Sequence, residues 1–377
     1  MNAVSVGIDA SNLRAGGGVT HLTEIVRHLE PEAAGIGRVT VWGSARTLAQ
    51  LPDRPWLTRA HEPALDGALP RRLWWQRFRL PRLAARCDVL FAPAASGRAR
   101  FHPYVTMCRN MLPFDRKEMW RYAFSRIFFR LALLRVGQAA AFRDADAVIF
   151  LNDYARRIVA QETGERAEYT VIPHGVSDRF RSAPREQNGV ADRPFRFLYT
   201  SIIDLYKHQW EVAEAVLRLR EEGLNIVVDF AGPAYPPAMR KVEAVLTRHP
   251  DARGAVNFLG PVAHADLPSL YARADAFVFA STCENMPNIL IEAMAAGLPI
   301  ACSRSAPMPE ILQDGGVYFD AEDPASIADA LRSLVADPAL RAAKAARAFE
   351  LASAFSWTRC ANETFTLLAA VARRAHE

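Results

Sequence analysis

Two carboxylates eight positions apart are the residues of this chain best placed to act together. Glu284 and Glu292 lie within AFVFASTCENMPNILIEAMAAGLPIACS, residues 276–303. Side chains on a helix tilt toward its N-terminus, so a Glu on a helix and another in the preceding loop can reach one ligand over that loop. A helix start adds free N–H groups and positive partial charge, which suit a phosphate. A solvated loop Glu and a surface helix Glu explain the same two letters more plainly, and geometry alone leaves the two readings level.

The elements that must position this pair can be read from the same stretch. Ala276 to Ala280 is an apolar run of the length and composition of a buried strand. Ser281, Thr282, Cys283 and Glu284 form the loop after it, at the strand's carboxyl end, where open α/β sheets bind ligands. Asn285 is expected to cap a helix with Pro287 in its first turn, and Gly297 to end it. Ile289, Leu290, Ala293 and Met294 are expected to face inward, and Leu298 to Cys302 is the next strand. The unit is strand–loop–helix–strand, a piece of a parallel sheet.

The spacing Glu284-x7-Glu292, followed by Ala293-Met294-Ala295-Ala296-Gly297-Leu298-Pro299, resembles the E-x7-E signature of retaining glycosyltransferases of family four. The resemblance covers most of the chain, more securely its C-terminal half. It implies a GT-B fold: α/β, with two Rossmann-like doubly wound domains facing across a cleft. It also implies that Glu284 lies beside the donor sugar and Glu292 binds the nucleotide ribose, with the backbone of Asn285, Met286, Pro287 and Asn288 against sugar and diphosphate. Lys207, just ahead of a helix and beyond a strand end, resembles the family lysine that neutralises the leaving diphosphate, although a lone surface Lys is usually solvated. The Arg often found a few residues earlier is replaced by Ile202 or Ile203. That departure shifts the weight onto Lys207 and the helix N-terminus.

The first half carries its own candidates. Val4 to Ile8 reads as a strand, and Gly16-Gly17-Gly18 follows before a helix bearing Val19, Leu22, Ile25, Val26 and Leu29. A triple glycine is more often a flexible turn. In the resembled family a glycine-rich loop here closes near the donor phosphates and the acceptor. The pattern is not G-x-G-x-x-G with a later acid, so a dinucleotide fingerprint is a poor fit. Arg109 and Asn110 end the strand Val105 to Cys108, where many relatives have a His, and His174-Gly175-Val176 resembles a Pro-Asn-Gly-Val turn with His for Asn. Arg109, Asn110 and His174 are therefore candidate cleft residues.

Composition bounds these readings. At 377 residues, half of them hydrophobic, the chain suits two domains with cores of their own. No apolar run approaches the ~20 residues a spanning helix needs, and the N-terminus lacks the basic-then-apolar pattern of a signal peptide. Five scattered cysteines with no C-x-x-C pair point to reduced thiols in the cytoplasm and away from structural zinc. The net charge of +5 is unevenly spread. Residues 1–190 hold 28 Lys plus Arg against 18 Asp plus Glu, a net +10, and residues 191–377 hold 18 against 23, a net −5.

Much of that excess sits in two segments. Residues 71–86, RRLWWQRFRLPRLAAR, contain six arginines, two tryptophans and a phenylalanine, with Pro81 breaking any helix. Residues 116–143 contain seven basic residues and a single Glu, with Trp120, Phe124, Ile127, Phe128, Leu131 and Leu134 at helical spacing. A core-facing helix explains the apolar stripe, but not the scarcity of acids. Basic residues interleaved with aromatics suit an anionic leaflet, so the protein is expected to lie at the inner face of the membrane.

The boundaries expected are an acceptor-side domain 1–176, a linker 177–194 rich in Arg, Pro, Ser and Asp, and a nucleotide-sugar domain 195–354. A C-terminal helix, 355–377, is expected to cross back to the first domain. The function implied is transfer of a sugar, with retention, from a nucleotide-diphosphate sugar to a glycan or lipid-linked glycan in cell-surface polysaccharide synthesis. The nucleotide sugar is a substrate. No cofactor is expected, nor any metal, since no Asp-x-Asp or His cluster stands beside the motif. A nucleotide-sugar epimerase or phosphorylase would share the architecture. A nucleic-acid-binding protein would use the basic half but leaves the carboxylate pair unexplained, so nucleic acid is not an expected partner.

Overall fold

The structure, a computed structural model, describes residues 3–14, 16–94, 97–164, 168–187 and 193–376. Packing divides the chain into two units, residues 1–175 with 356–377, and residues 176–355.

The first unit is built on a seven-stranded parallel sheet of order β3-β2-β1-β4-β5-β6-β7. Its strands are β1 (Val4–Asp9), β2 (Ile36–Gly43), β3 (Leu57–His61), β4 (Val89–Ala92), β5 (Tyr104–Met107), β6 (Ala147–Phe150) and β7 (Glu168–Val171). β4, β5 and β6 are buried on both faces, which is why β4 and β6 read as unbroken apolar runs, while β5 carries one polar residue, Thr106, whose hydroxyl donates to the Ala92 carbonyl (2.8 Å). β3 was not legible. It is an edge strand whose residues are all partly or fully exposed, so nothing imposes an apolar run on it. The order of strands reverses between β1 and β4, and ligands of open α/β sheets bind beyond the carboxyl ends at such a switch point.

The second unit repeats the plan with six parallel strands in the order β10-β9-β8-β11-β12-β13. They are β8 (Phe195–Thr200), β9 (Ile226–Ala231), β10 (Val256–Gly260), β11 (Ala276–Phe279), β12 (Ile300–Ser303) and β13 (Gly316–Phe319). The switch point lies between β8 and β11. β13, the other edge, also escaped the sequence reading.

The stretch expected as a linker, 177–194, packs against this second unit over its described residues. Ser182 donates its N–H to the carbonyl of Ala295 (2.9 Å). Gly297, at φ 64°, ends the Asn288–Ala295 helix, and a Cβ there would come within 2.7 Å of the Pro184 nitrogen and the Ser182 oxygen. Glycine is thus required twice over, by its left-handed backbone and by the close approach. The last helix, Trp357–Arg374, packs on the Gly17–His28 helix of the first unit, where Cys360, Ala361, Phe365, Leu368 and Ala372 are buried.

The two basic segments are helical, with breaks. Leu69–Phe78 and Leu80–Ala84 are separate helices, with Pro81 in the first turn of the second, where its missing N–H has no helical partner. Arg116–Trp120 is followed by Phe124 at φ 61° and then by the Arg126–Asp144 helix. The apolar stripe of the second segment is divided between core and surface. Leu131 is buried, but Trp120 is exposed and Phe124 is 94% exposed.

Candidate active site

The loops leaving β8 and β11 meet at the second unit's switch point. Lys207 ends the turn after β8, and its Nζ forms an ion pair with Glu284 Oε1 in the loop after β11. Both side chains are nearly buried, at 7% and 13% exposure. Ser281 donates its hydroxyl to the same Glu284 oxygen (2.6 Å). The rings of Tyr206 and Phe279 each lie 5.2 Å from the ammonium, within the range where a ring face attracts a cation. Burial, reinforced by the negative charge of Glu284, pushes the hydroxyls of Tyr199 and Tyr206 well above the usual tyrosine range. Both stay neutral as walls of the site.

His208 fixes the turn that carries Lys207. It sits at φ 54°, fully buried, at the cap of the Gln209–Glu221 helix, with Nε2 3.1 Å from the Thr282 hydroxyl. The Thr282 N–H in turn donates to the Tyr206 carbonyl (2.9 Å). The two loops are stitched together by backbone and side chain, so the ion pair is held from both sides.

Glu292 is also buried. Tyr271 donates its hydroxyl to Glu292 Oε2 (3.1 Å), and His264 Nε2 lies 3.4 Å from Oε1. The Phe180 ring contacts both Tyr271 and His264, and Arg179 reaches the His264 ring. The helix bearing Glu292 starts at Asn288, with Pro287 in the cap position and no side-chain cap. Asn285 therefore does not cap it. Asn285, Met286 and Pro287 are buried in the loop instead. His264, Tyr271 and Ser281 were not singled out from the sequence.

The first unit's candidates fall into two groups. Arg109 lies against the first turn of the Gly17–His28 helix, and a Cβ at Gly18 would meet its Nη1 at 2.7 Å. Gly16, at φ 67°, precedes that helix and its carbonyl accepts from Val19 (3.0 Å). Sequence reasoning placed Arg109 and the glycine loop separately; the structure brings them together. Burial lowers the Arg109 pKa to about 10. Its Nε is buried without a partner among the described residues. Asn110 is exposed, and its Oδ1 accepts from the Leu112 N–H (3.1 Å). His174, read as a cleft residue, is 3% exposed and stacks on His21 with ring centroids 4.7 Å apart, beside Trp357. Its place is in the packing beneath the last helix. Among the described residues, no three His, Cys, Asp or Glu side chains converge to hold a metal.

Two family models match the chain in tandem: Glycosyltransferase Family 4 over residues 15–180 and Glycosyl transferases group 1 over 180–350. The chain belongs to these glycosyltransferases. It is 35% identical over 111 residues to the O-antigen chain mannosyltransferase B of Escherichia coli, covering 29% of each chain. It is 31% identical over 235 residues to a GDP-mannose-dependent alpha-(1-6)-phosphatidylinositol monomannoside mannosyltransferase of Mycolicibacterium smegmatis, covering 57% of this chain and 58% of that one. The alignments thus span less than two thirds of these relatives' lengths. A sucrose-phosphate synthase from Thermosynechococcus elongatus superposes with a TM-score of 0.73 over 99% of both chains at 17% identity. At that identity the match speaks to the fold, which is GT-B.

Proposed function

We propose that this protein transfers a sugar, with retention at the anomeric carbon, from a nucleotide-diphosphate sugar to a lipid-linked saccharide. The observation that carries the reading is the Lys207–Glu284 pair at the β8/β11 switch point, with Glu292 buried on the following helix. Leaving-group phosphate gains negative charge as the glycosidic bond breaks, and a preorganised cation in a site of low polarity stabilises that charge strongly. Lys207 supplies the cation. An incoming diphosphate competes with Glu284 for the ammonium, which frees the Glu284 carboxylate to accept hydrogen bonds from sugar hydroxyls. Glu292, oriented by Tyr271 and His264, accepts from the ribose. The reading assigns no step to a metal.

The acceptor class draws support from the first unit. Arg126, Phe129, Arg130, Leu133 and Val136 recur at helical spacing and are the exposed positions of their helix between 126 and 136, with Leu133 at 75% exposure. Trp74, Phe78 and Trp120 are also exposed. Apolar side chains standing among cations suit the boundary of an anionic leaflet. No helix among the described residues is long and apolar enough to cross a membrane, so the contact proposed is peripheral, at the inner face. The mannosyltransferase relatives, one acting on an O-antigen chain and one on a phosphatidylinositol mannoside, fit a role in cell-surface glycans.

The test is a panel of nucleotide sugars scored by thermal stabilisation of the protein. Ligand at one hundred times its Kd should stabilise by about 2.7 kcal/mol. A stabilising nucleotide sugar is then assayed by NMR for the anomeric configuration of the product. A panel with no stabilising member, or a product of inverted configuration, would reject the reading.

A further inference from the structure

The first unit has a switch point of its own, and a cavity of about 450 Å³ opens there. That volume is in the ~300–1,000 Å³ range of small-molecule sites. Its floor is Leu90 and Ala92 of β4 with Asp9 at the end of β1. Trp74 and Phe78 form one wall, their ring centroids 5.8 Å apart, with Leu80 and Phe101 among the other apolar lining. Arg77, Arg98 and Arg100 line it too, each exposed and none ion-paired among the described residues.

These features specify an occupant. The lining is apolar and aromatic, so the body of the ligand is hydrocarbon. Three guanidinium groups without an internal counter-charge offer donors to an anion at the cavity rim, and Arg is the side chain best matched to phosphate. Among the described residues, Asp9 is the only acid lining the cavity. It is buried, and it accepts from Gln76 Nε2 (2.8 Å) and the Ser11 N–H (3.0 Å). Burial also raises its pKa, which weakens its claim on the arginines. Trp74 and Phe78 belong to the helix whose exposed side already suits a leaflet.

We propose that the cavity at the β1/β4 switch point binds a lipid phosphate, its hydrocarbon chain against the wall formed by Trp74 and Phe78 and its phosphate on Arg77, Arg98 and Arg100. The inference rests on the lipid-linked acceptor reading and deepens it: the protein recognises the phosphate-proximal part of the lipid directly, apart from the sugar it carries.

Calorimetric titration with farnesyl phosphate tests this without vesicles, at concentrations below its aggregation. Saturable binding is expected, with farnesol and inorganic phosphate each at least tenfold weaker. Replacing all three arginines (Arg77→Gln, Arg98→Gln, Arg100→Gln) should weaken farnesyl phosphate tenfold or more. Trp74→Ala, tested separately, should also weaken it, with each variant melting as the wild type does. Wild-type affinity in the triple variant, or equal binding of inorganic phosphate alone, would overturn the proposal. Nucleotide titration of the same proteins keeps the two readings apart. A protein that binds farnesyl phosphate as described but no nucleotide sugar overturns the donor assignment and leaves the cavity standing. The reverse result does the opposite.

Discussion

The two switch points solve the problem of charge in opposite ways. At β8/β11 every principal charge has an internal partner: Lys207 with Glu284, and Glu292 with Tyr271 and His264. At β1/β4 three arginines stand around an apolar cavity, and the one acid there is tied to Gln76 and Ser11. A site with paired charges keeps its geometry before ligand arrives, and preorganisation of that kind is what stabilises a transition state. A site with unpaired cations over hydrocarbon lets the ligand bring the counter-charge, and so favours binding over chemistry. Donor activation and acceptor capture are therefore expected to respond differently to mutation.

The sharpest break in this comparison is Lys207→Ala. Removing one preorganised donor to developing negative charge typically lowers kcat by about 10²–10³, and donor affinity should change less. Steady-state kinetics across donor concentrations separates the two. A raised KM with normal kcat would move Lys207 from catalysis to simple binding. Glu292→Ala comes next. Losing a charge-assisted hydrogen bond costs roughly 1.5–3 kcal/mol, or about 10- to 150-fold in nucleotide affinity. Calorimetry on a variant with wild-type secondary structure reads this directly, and unchanged affinity would remove Glu292 from the ribose.

Legibility followed the same physical divide. β11, Ala276–Phe279, is buried on both faces and was readable as an apolar run. Leu57–His61, whose residues are all partly or fully exposed, was not. The Glu284–Glu292 spacing is local, within one loop and helix, and was visible. Tyr271 and His264 reach Glu292 from another segment, and no spacing announces a contact made only by folding. Arg121 shows the converse. It looked like one more cation in a basic stretch, yet its Nε holds the buried Glu118 carboxylate at 2.6 Å. Arg121 therefore belongs to the fold and is a poor choice for testing surface charge.

Arg126 and Arg130 are the better choice, since both are exposed. Each contributes roughly 1 kcal/mol near an anionic surface. Arg126→Gln with Arg130→Gln should therefore weaken binding to anionic vesicles by about 2 kcal/mol, roughly 30-fold, at low salt. Raising the salt should shrink the difference as the charges are screened. Activity on a short soluble acceptor should survive. Sedimentation with anionic and neutral vesicles measures the first effect, and equal binding to both would leave only the exposed aromatics as the source of attachment.

The smallest expected effect concerns stability of the first unit as a function of pH. His21 is fully buried, stacked on His174, with Nε2 3.9 Å from the Cys360 sulfur. Burial, then the nearby His174 and Arg109, lowers its pKa well below 6.5. In the unfolded chain the imidazole takes up a proton as pH falls through about 6.5, whereas in the folded unit it stays neutral. The unfolded state then holds more protons, so stability decreases on acidification, by at most about 1.4 kcal/mol per pH unit from this group. The loss begins near 6.5 and levels off once the folded pKa is passed. His21→Gln removes the titration while keeping a polar side chain. The variant should be less stable at neutral pH, because the buried ring packing is gone, yet its stability should fall less steeply between pH 7 and 5. Six of the seven tryptophans lie in the first unit, so fluorescence-detected urea unfolding follows the right transition. Parallel wild-type and variant curves across that range would show that His21 is not held neutral by its burial.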